Sequence, residues 1–274
     1  MNAHPSPADA VQGHAPLLFE RDARGVVTLI LNRPQAFNAL SVALLTALQE
    51  ALDRVAADDG ARVVVLAAHG KAFCAGHDLN EMRAQPSQAA YEQLFAQCAR
   101  VMLSIQQLPV PVIAQVQGIA TAAGCQLVAQ CDLAVAAQAA RFAVSGVNLG
   151  LFCSTPSVAL SRNLSRKAAF EMLVTGDFIS ADEALAKGLV NRVVPAAALA
   201  AEVAQLVDCI VAKPRVALAM GKALFYRQLE QGMAAAYDDA AHTMACNMMD
   251  GSALEGVQAF IDKRRPHWAV PAFL

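Results

Sequence analysis

The sequence predicts an α/β body followed by an all-helical C-terminal part, and three observations carry this. Short β-branched runs alternate with helix-period stretches up to about residue 196. Beyond that point strand signals vanish while helical composition continues. Hydrophobic residues make up 56% of the 274 residues and charged residues 16%, against roughly 25% charged in an average soluble domain. A large buried core is therefore expected, enlarged by subunit contacts, because a charge-poor surface associates.

Val26–Leu31 reads as the first strand. Ser41 caps a helix running to about Ala57, with Leu44, Leu45, Leu48, Leu52 and Val55 on one face. The continuous apolar run 63–67 reads as a buried strand. A helix follows over 91–107, then strand Val112–Val116 and a helix over 122–131. Residues 133–136 and 141–144 are short strands. Residues 168–175 and Ala181–Lys187 are helices stopped by Gly176 and Gly188. Residues 191–194 form the last strand, and helices follow over 197–212, 217–231, 234–249 and 252–263. This divides the chain into a tail (1–16), a body carrying the site (17–196) and a helical region (197–274).

A formal net charge of −2 provides no basic field for nucleic acid or an anionic membrane. Mean hydropathy is +0.39, and 101–131 holds no charged residue. Gln, Pro and Gly interrupt that stretch, so it reads as buried core rather than a membrane span. Residues 1–16 carry no Arg or Lys and no apolar run, unlike a signal or transit peptide. The seven cysteines form no CxxC pair. Neither a disulfide framework nor a metal site is expected, and reduced thiols point to the cytoplasm.

Between 101 and 161 only Asp132 and Arg141 are charged. Here lies VQGIATAAGCQ (116–126): a strand, a turn of small residues and a helix start. The first amides of a helix lack intrahelical partners and suit an oxyanion or phosphate. KAFCAGHDL (71–79) has the same character, with Gly76 for a tight turn and the His77 amide beyond it. Two converging amides would make an oxyanion hole, each worth about 3–4 kcal/mol in a transition state. The same residues also read as two strand-to-helix turns without a ligand.

LNRPQAFNAL (31–40), AFCAGHDL (72–79), VQGIATAAGCQL (116–127) and FIDKRRPHW (260–268) stand in an order that resembles the enoyl-CoA hydratase/isomerase (crotonase) superfamily. The likeness covers about residues 17–268, and 120–135 with 146–162 resembles one subgroup. It implies a ββα spiral, a C-terminal region that trimerises, and an acyl-CoA thioester as ligand. The expected assembly is a homotrimer or hexamer. No separate cofactor is implied, since coenzyme A enters as part of the substrate.

Carried over by motif, the resemblance implies a thioester carbonyl held by the amides of His77 and Ala123. Ala75, Asp78 and Leu79 would flank it. Arg33 would run past the adenosine phosphates, and Lys263 and Arg264 would reach coenzyme A from the last helix. The superfamily's turn has Gly where this chain has Ala122 and Ala123. Its two water-holding glutamates fall on Gln126 and Gly146. Gln cannot accept a proton and Gly offers no group, while a positioned acid or base is worth roughly 10²–10⁴-fold. Hydration is therefore expected to be weak, and Gln126→Glu with Gly146→Glu to raise it. The alternative is an acyl-CoA-binding protein with little catalysis left.

His77, Ser145, Asn148, Cys153, Ser154 and Thr155 are the other polar candidates nearby. Ser154, with Pro156 after it, reads as a helix N-cap and Cys153 as a buried small hydrophobe. Asp78 and Asp132 also read as cap or turn residues. No GxGxxG follows the first strand and no Ser/His/Asp set stands in protease motifs, which disfavours a Rossmann dehydrogenase and a serine protease.

Overall fold

The computed structural model describes residues 15–84 and 86–268. In chain order the body is β1 (Leu17–Arg21), β2 (Val26–Leu31), α1 (Val42–Ala56), β3 (Val63–Ala68), β4 (Ala72–Cys74), α2 (Leu79–Ala84) and α3 (Gln88–Gln107). Then come β5 (Val112–Val116), β6 (Ile119–Thr121), α4 (Ala123–Gln130), β7 (Leu133–Ala137) and β8 (Arg141–Ala143). It closes with α5 (Ser154–Asn163), α6 (Arg166–Thr175), β9 (Ile179–Ser180), α7 (Ala181–Lys187) and β10 (Arg192–Val194). Four helices follow: α8 (Leu199–Val211), α9 (Arg215–Gln228), α10 (Met233–Met248) and α11 (Gly251–Ile261).

The strands form two sheets, one in the order β1-β2-β3-β5-β7-β10 and one in the order β4-β6-β8-β9. Each turn of chain adds one parallel strand to each sheet: β3 then β4, β5 then β6, β7 then β8. Helices α3 and α4 return the chain to the next turn, which is the ββα spiral. Strand order rises without reversal, so there is no Rossmann switch point among the described strands.

The main core lies between the sheets and helices α1 and α3–α7. A second cluster forms where Leu199, Val203 and Val207 of α8 cover Val63, Val65, Ile113 and Val135 on the outer sheet face. Strands β3, β5 and β7 are thus covered on both faces, which explains their unbroken apolar runs. Five cysteines are buried, and all seven thiols are free.

The sequence reading placed the long elements and missed the short ones. Strands β4, β6 and β9, of two or three residues, are too brief to show a period. Ser41 caps α1 as expected, accepting from the Leu44 amide. Ser154 does not act as a cap: α5 starts one residue earlier than expected, with Cys153 at the cap position and no side-chain capping bond. The tail expected at 1–16 lies outside the described residues except for Ala15 and Pro16.

Helices α9–α11 contribute one fully covered residue, Ala259, to the described core. They are anchored by a polar clasp instead. Lys222 on α9 donates to Asp132 Oδ2 (2.6 Å) and to the carbonyls of Ile105 and Val110 (2.9 and 3.0 Å). Tyr226 Oη donates to Asp132 Oδ1 at 2.7 Å, and the Val112 amide to Oδ2 at 2.7 Å. Both ionic side chains are largely covered, and removing one partner of such a pair strands the other. Lys222→Met is expected to lower unfolding free energy by about 3–5 kcal/mol, and Tyr226→Phe by about 1 kcal/mol. Equilibrium denaturation of the two variants measures both.

Candidate functional site

Two turns face each other at the wall of one cavity. The first follows β4. Asn38, fully buried and in the left-handed region (φ 54°), ties the segment before α1 to this turn. Its side-chain amide donates to the carbonyls of His69 and Ala72 (2.8 and 2.9 Å), and its Oδ1 accepts from the Arg33 amide (2.8 Å). Asn tolerates this backbone better than most residues, which accounts for the Asn in LNRPQAFNAL. Leu40 then forms an isolated parallel bridge with His77. In it the Leu40 amide donates to Gly76 O (2.7 Å) and the Asp78 amide donates to Leu40 O (3.2 Å). The His77 amide is left without a backbone acceptor among the described residues.

The second turn joins β6 to α4. Ala123 is the first residue of α4, so its amide has no intrahelical acceptor. The two turns are pressed together. A Cβ placed on Gly76 (φ 90°) would lie 2.9 Å from Ala122 Cβ and 3.3 Å from Ala123 N. A Cβ on Gly124 would collide with the Cys74 carbonyl. Small residues are thus required on both sides. Ala122 takes φ 51°, ψ −121°, a conformation that strains a side chain. The amide survives the Gly-to-Ala departure, at the expense of local strain.

The cavity has a volume of about 730 Å³. Ala75, His77, Asp78, Leu79, Ala123 and Gly146 all line it. So do the hydroxyls of Thr121 and Ser145, 3.2 Å apart, and Cys153, Ser154 and Thr155. Apolar walls come from Phe37, Met82, Phe95, Leu149, Leu151 and Phe152. Burial raises the Cys153 thiol above its usual pKa, which fits a packed hydrophobe and not a nucleophile.

Other expected residues do not gather there. Gln126, 4% exposed, is absent from the cavity wall, and its Oε1 is sealed without a partner among the described residues. Arg33 also lies outside the lining; it spends its donors on Ala39 O (2.6 Å) and Asp78 Oδ2 (3.0 Å). Asp78 in turn caps α2 through the Asn80 amide (3.1 Å). Arg264 is paired with Glu255 (2.6 and 3.0 Å), and neither it nor Lys263 lines the cavity. Asn148 donates to Gly176 O at 3.4 Å, a structural contact. The sequence reading missed Phe95, Met82 and the Thr121–Ser145 pair, because apolar helix faces and scattered hydroxyls carry no local motif.

His77 is the titratable side chain most altered by the cavity. Its ring meets Phe95 edge to face at 5.3 Å. Burial alone pushes its pKa down to about 4 from 6.5, so the imidazole is neutral at physiological pH.

These features, a ββα spiral with two unpaired amides facing an apolar cavity, define the class of protein. The enoyl-CoA hydratase/isomerase family profile matches residues 21–271, and the chain belongs to that family. Among curated relatives, enoyl-CoA hydratase domain-containing protein 3 of Xenopus laevis is 45% identical over 93% of this chain and 87% of its own length. The human protein of that name is 44% identical over 91% and 82%. A solved structure described as enoyl-CoA hydratase from Mycobacterium smegmatis is 70% identical, with a TM-score of 0.92 over 93% of this chain and 99% of that one. The human domain-containing protein 3 structure gives a TM-score of 0.89 at 43% identity, covering 92% of this chain and 100% of that one. The subgroup likeness read from 120–135 and 146–162 is the one these relatives carry.

The cytoplasmic expectation is corrected by the same relatives, whose names place them in mitochondria. Reduced thiols do not distinguish those two compartments. No helix among the described residues is long and apolar enough to cross a membrane.

Ala122→Gly is expected to relieve strain of roughly 1–3 kcal/mol against about 0.5–1 kcal/mol of added chain entropy. A rise in thermal midpoint of a few degrees would register the difference. His77 also makes stability depend on pH. Because its folded pKa is lowered, the unfolded chain binds a proton between about pH 6.5 and 4 that the folded chain refuses. Stability is complete above that window and falls as pH drops through it, by roughly 2–3 kcal/mol at the acid end. Denaturation at pH 7.5 and 4.5 should show this loss in the wild type and a smaller one in His77→Phe.

Proposed function

We propose that the protein binds acyl-CoA thioesters with the carbonyl oxygen between the amides of His77 and Ala123. The supporting observation is the pair of facing turns whose amides have no backbone acceptor and adjoin an apolar cavity. When charge develops on a thioester oxygen, as in enolate formation, two fixed donors stabilise it without reorganising. Apolar walls strengthen those bonds by excluding water. Family membership and relatives named enoyl-CoA hydratase support coenzyme A thioesters as the ligand class. Coenzyme A is part of that substrate, and no separate cofactor is needed.

Water addition is the step this site performs poorly. Gly146 lines the cavity without a side chain, and a Cβ there would lie 2.5 Å from Leu151 O and 2.7 Å from Cys153 Sγ. The place of a second carboxylate is therefore filled. Gln126 cannot take a proton and stands off the cavity wall. Gln126→Glu with Gly146→Glu accordingly needs a new path for residues 146–153 as well as two carboxylates. That revises the expectation of simple rescue.

The assembly that fits is a homotrimer or a dimer of trimers. Phe225, Met233, Tyr237, Met244 and Phe260 on α9–α11 stand exposed in the single chain, Phe260 at 86%. Apolar area of this extent is a subunit interface more often than a free surface.

Calorimetry with butyryl-CoA is expected to give saturable binding, and its absence at millimolar ligand would overturn the thioester reading. Crotonyl-CoA hydration is expected well below about 10 s⁻¹, a median enzyme turnover; a rate at or above it would refute the impaired chemistry. A monomer in sedimentation at micromolar concentration would contradict the assembly.

A further inference from the structure

The cavity holds one feature that the carbonyl site does not use. His77 presents two groups: its amide, assigned above to the thioester oxygen, and its imidazole, which has no assigned task. The imidazole lines the same cavity and has no hydrogen-bond or charged partner among the described residues. Its Nε2 is sealed from solvent, whereas Nδ1 is not among the sealed unpaired atoms. A buried polar atom without a partner costs about 1–3 kcal/mol, so native proteins rarely keep one without a reason.

The surroundings decide which nitrogen carries the hydrogen. Phe95 meets the ring edge to face, and an aromatic face accepts an N–H weakly and repels a lone pair. The sealed Nε2 is therefore better placed as N–H, which leaves the lone pair on Nδ1. A neutral imidazole in this state is a hydrogen-bond acceptor set in an apolar wall. It carries no charge with which to hold a carboxylate, and Asp78 at the same cavity repels one. The hydroxyls of Thr121 and Ser145 are 3.2 Å apart and engage each other.

We propose that His77 Nδ1 is a specificity determinant that accepts a hydrogen bond from a hydroxyl on the acyl chain, so that the site prefers hydroxyacyl thioesters over plain acyl thioesters of the same length. This rests on the thioester reading above. A carbonyl on the His77 amide places the first acyl carbons within a few bonds of the same residue's ring. A hydroxyl there satisfies the unpaired nitrogen, while a plain methylene leaves it unpaired. One neutral hydrogen bond of this kind corresponds to roughly a three- to tenfold preference.

The test is calorimetric, on the full chain, with butyryl-CoA, 2-hydroxybutyryl-CoA, 3-hydroxybutyryl-CoA and succinyl-CoA. In the wild type at least one hydroxy isomer should bind three- to tenfold tighter than butyryl-CoA, and succinyl-CoA should bind more weakly. His77→Phe keeps the backbone amide and removes the acceptor, so the ratio of hydroxy to plain affinity should fall to about one. His77→Asn, which retains an acceptor oxygen, should keep part of the ratio. Circular dichroism verifies that each variant is folded. If butyryl-CoA binds and neither hydroxyl adds affinity, this inference fails while the thioester reading stands. A ratio that survives in His77→Phe overturns the inference as well. If no thioester binds the wild type, both fall together.

Discussion

Everything at the site depends on how closely the turn after β4 approaches the start of α4. Gly124 leaves no room between α4 and the Cys74 carbonyl, and Gly76 leaves none between its own turn and Ala122. Backbone must meet backbone here, and only small residues permit it. The parallel strands β4 and β6 bring the two turns together in space. Asn38 and the Leu40–His77 bridge then fix the direction of the first turn. The two unpaired amides follow from these contacts, not from any catalytic side chain. The strain at Ala122 is the local sign of the same constraint, since a residue with a Cβ occupies a backbone conformation suited to glycine.

Charge is managed so that the cavity stays neutral. Asp78 is the one carboxylate at its wall among the described lining residues, and it is occupied by Arg33 and by the α2 amides. Asp132, the other acid of the uncharged stretch, is turned outward from the site and given to Lys222 and Tyr226. Both acids that the sequence offers near the small-residue turns are thus structural. The thiols agree: burial pushes Cys74, Cys98 and Cys125 to about 12. What remains at the cavity is hydroxyls, backbone and one neutral imidazole.

The sequence disclosed the fold wherever an element was long enough to show a period or a cap. The strands at Val26–Leu31 and Val112–Val116, the Ser41 cap and the switch to helices after β10 were all legible for that reason. The amide positions were legible because Gly and Ala at a strand-to-helix turn state a backbone requirement directly. Side-chain placement was not legible. Gln126 and Gly146 mark two equivalent losses in the sequence, yet one sits off the cavity wall and the other lines it. Arg33 looked free for phosphate until the fold set Asp78 beside it. Ser154 looked like a cap until α5 was found to start at that residue. Each of these depends on contacts between residues far apart in the chain, which no local pattern encodes.

The Gly146 position carries the argument one step further. Loss of a carboxylate by itself would leave an empty space that a water molecule or a returning glutamate could fill. Instead, Cys153 Sγ and the Leu151 carbonyl approach the spot where any side chain would begin. Burial keeps that thiol protonated and packed, so it acts as volume and not as a replacement base. The residues from 146 to 153 have therefore closed over the missing group. A cavity rebuilt in this way, with its amide pair still exposed, fits selection for holding a thioester more closely than for hydrating one. Its remaining discrimination then has to come from neutral contacts along the acyl chain, and the unpaired imidazole of His77 is the polar side chain placed to make them.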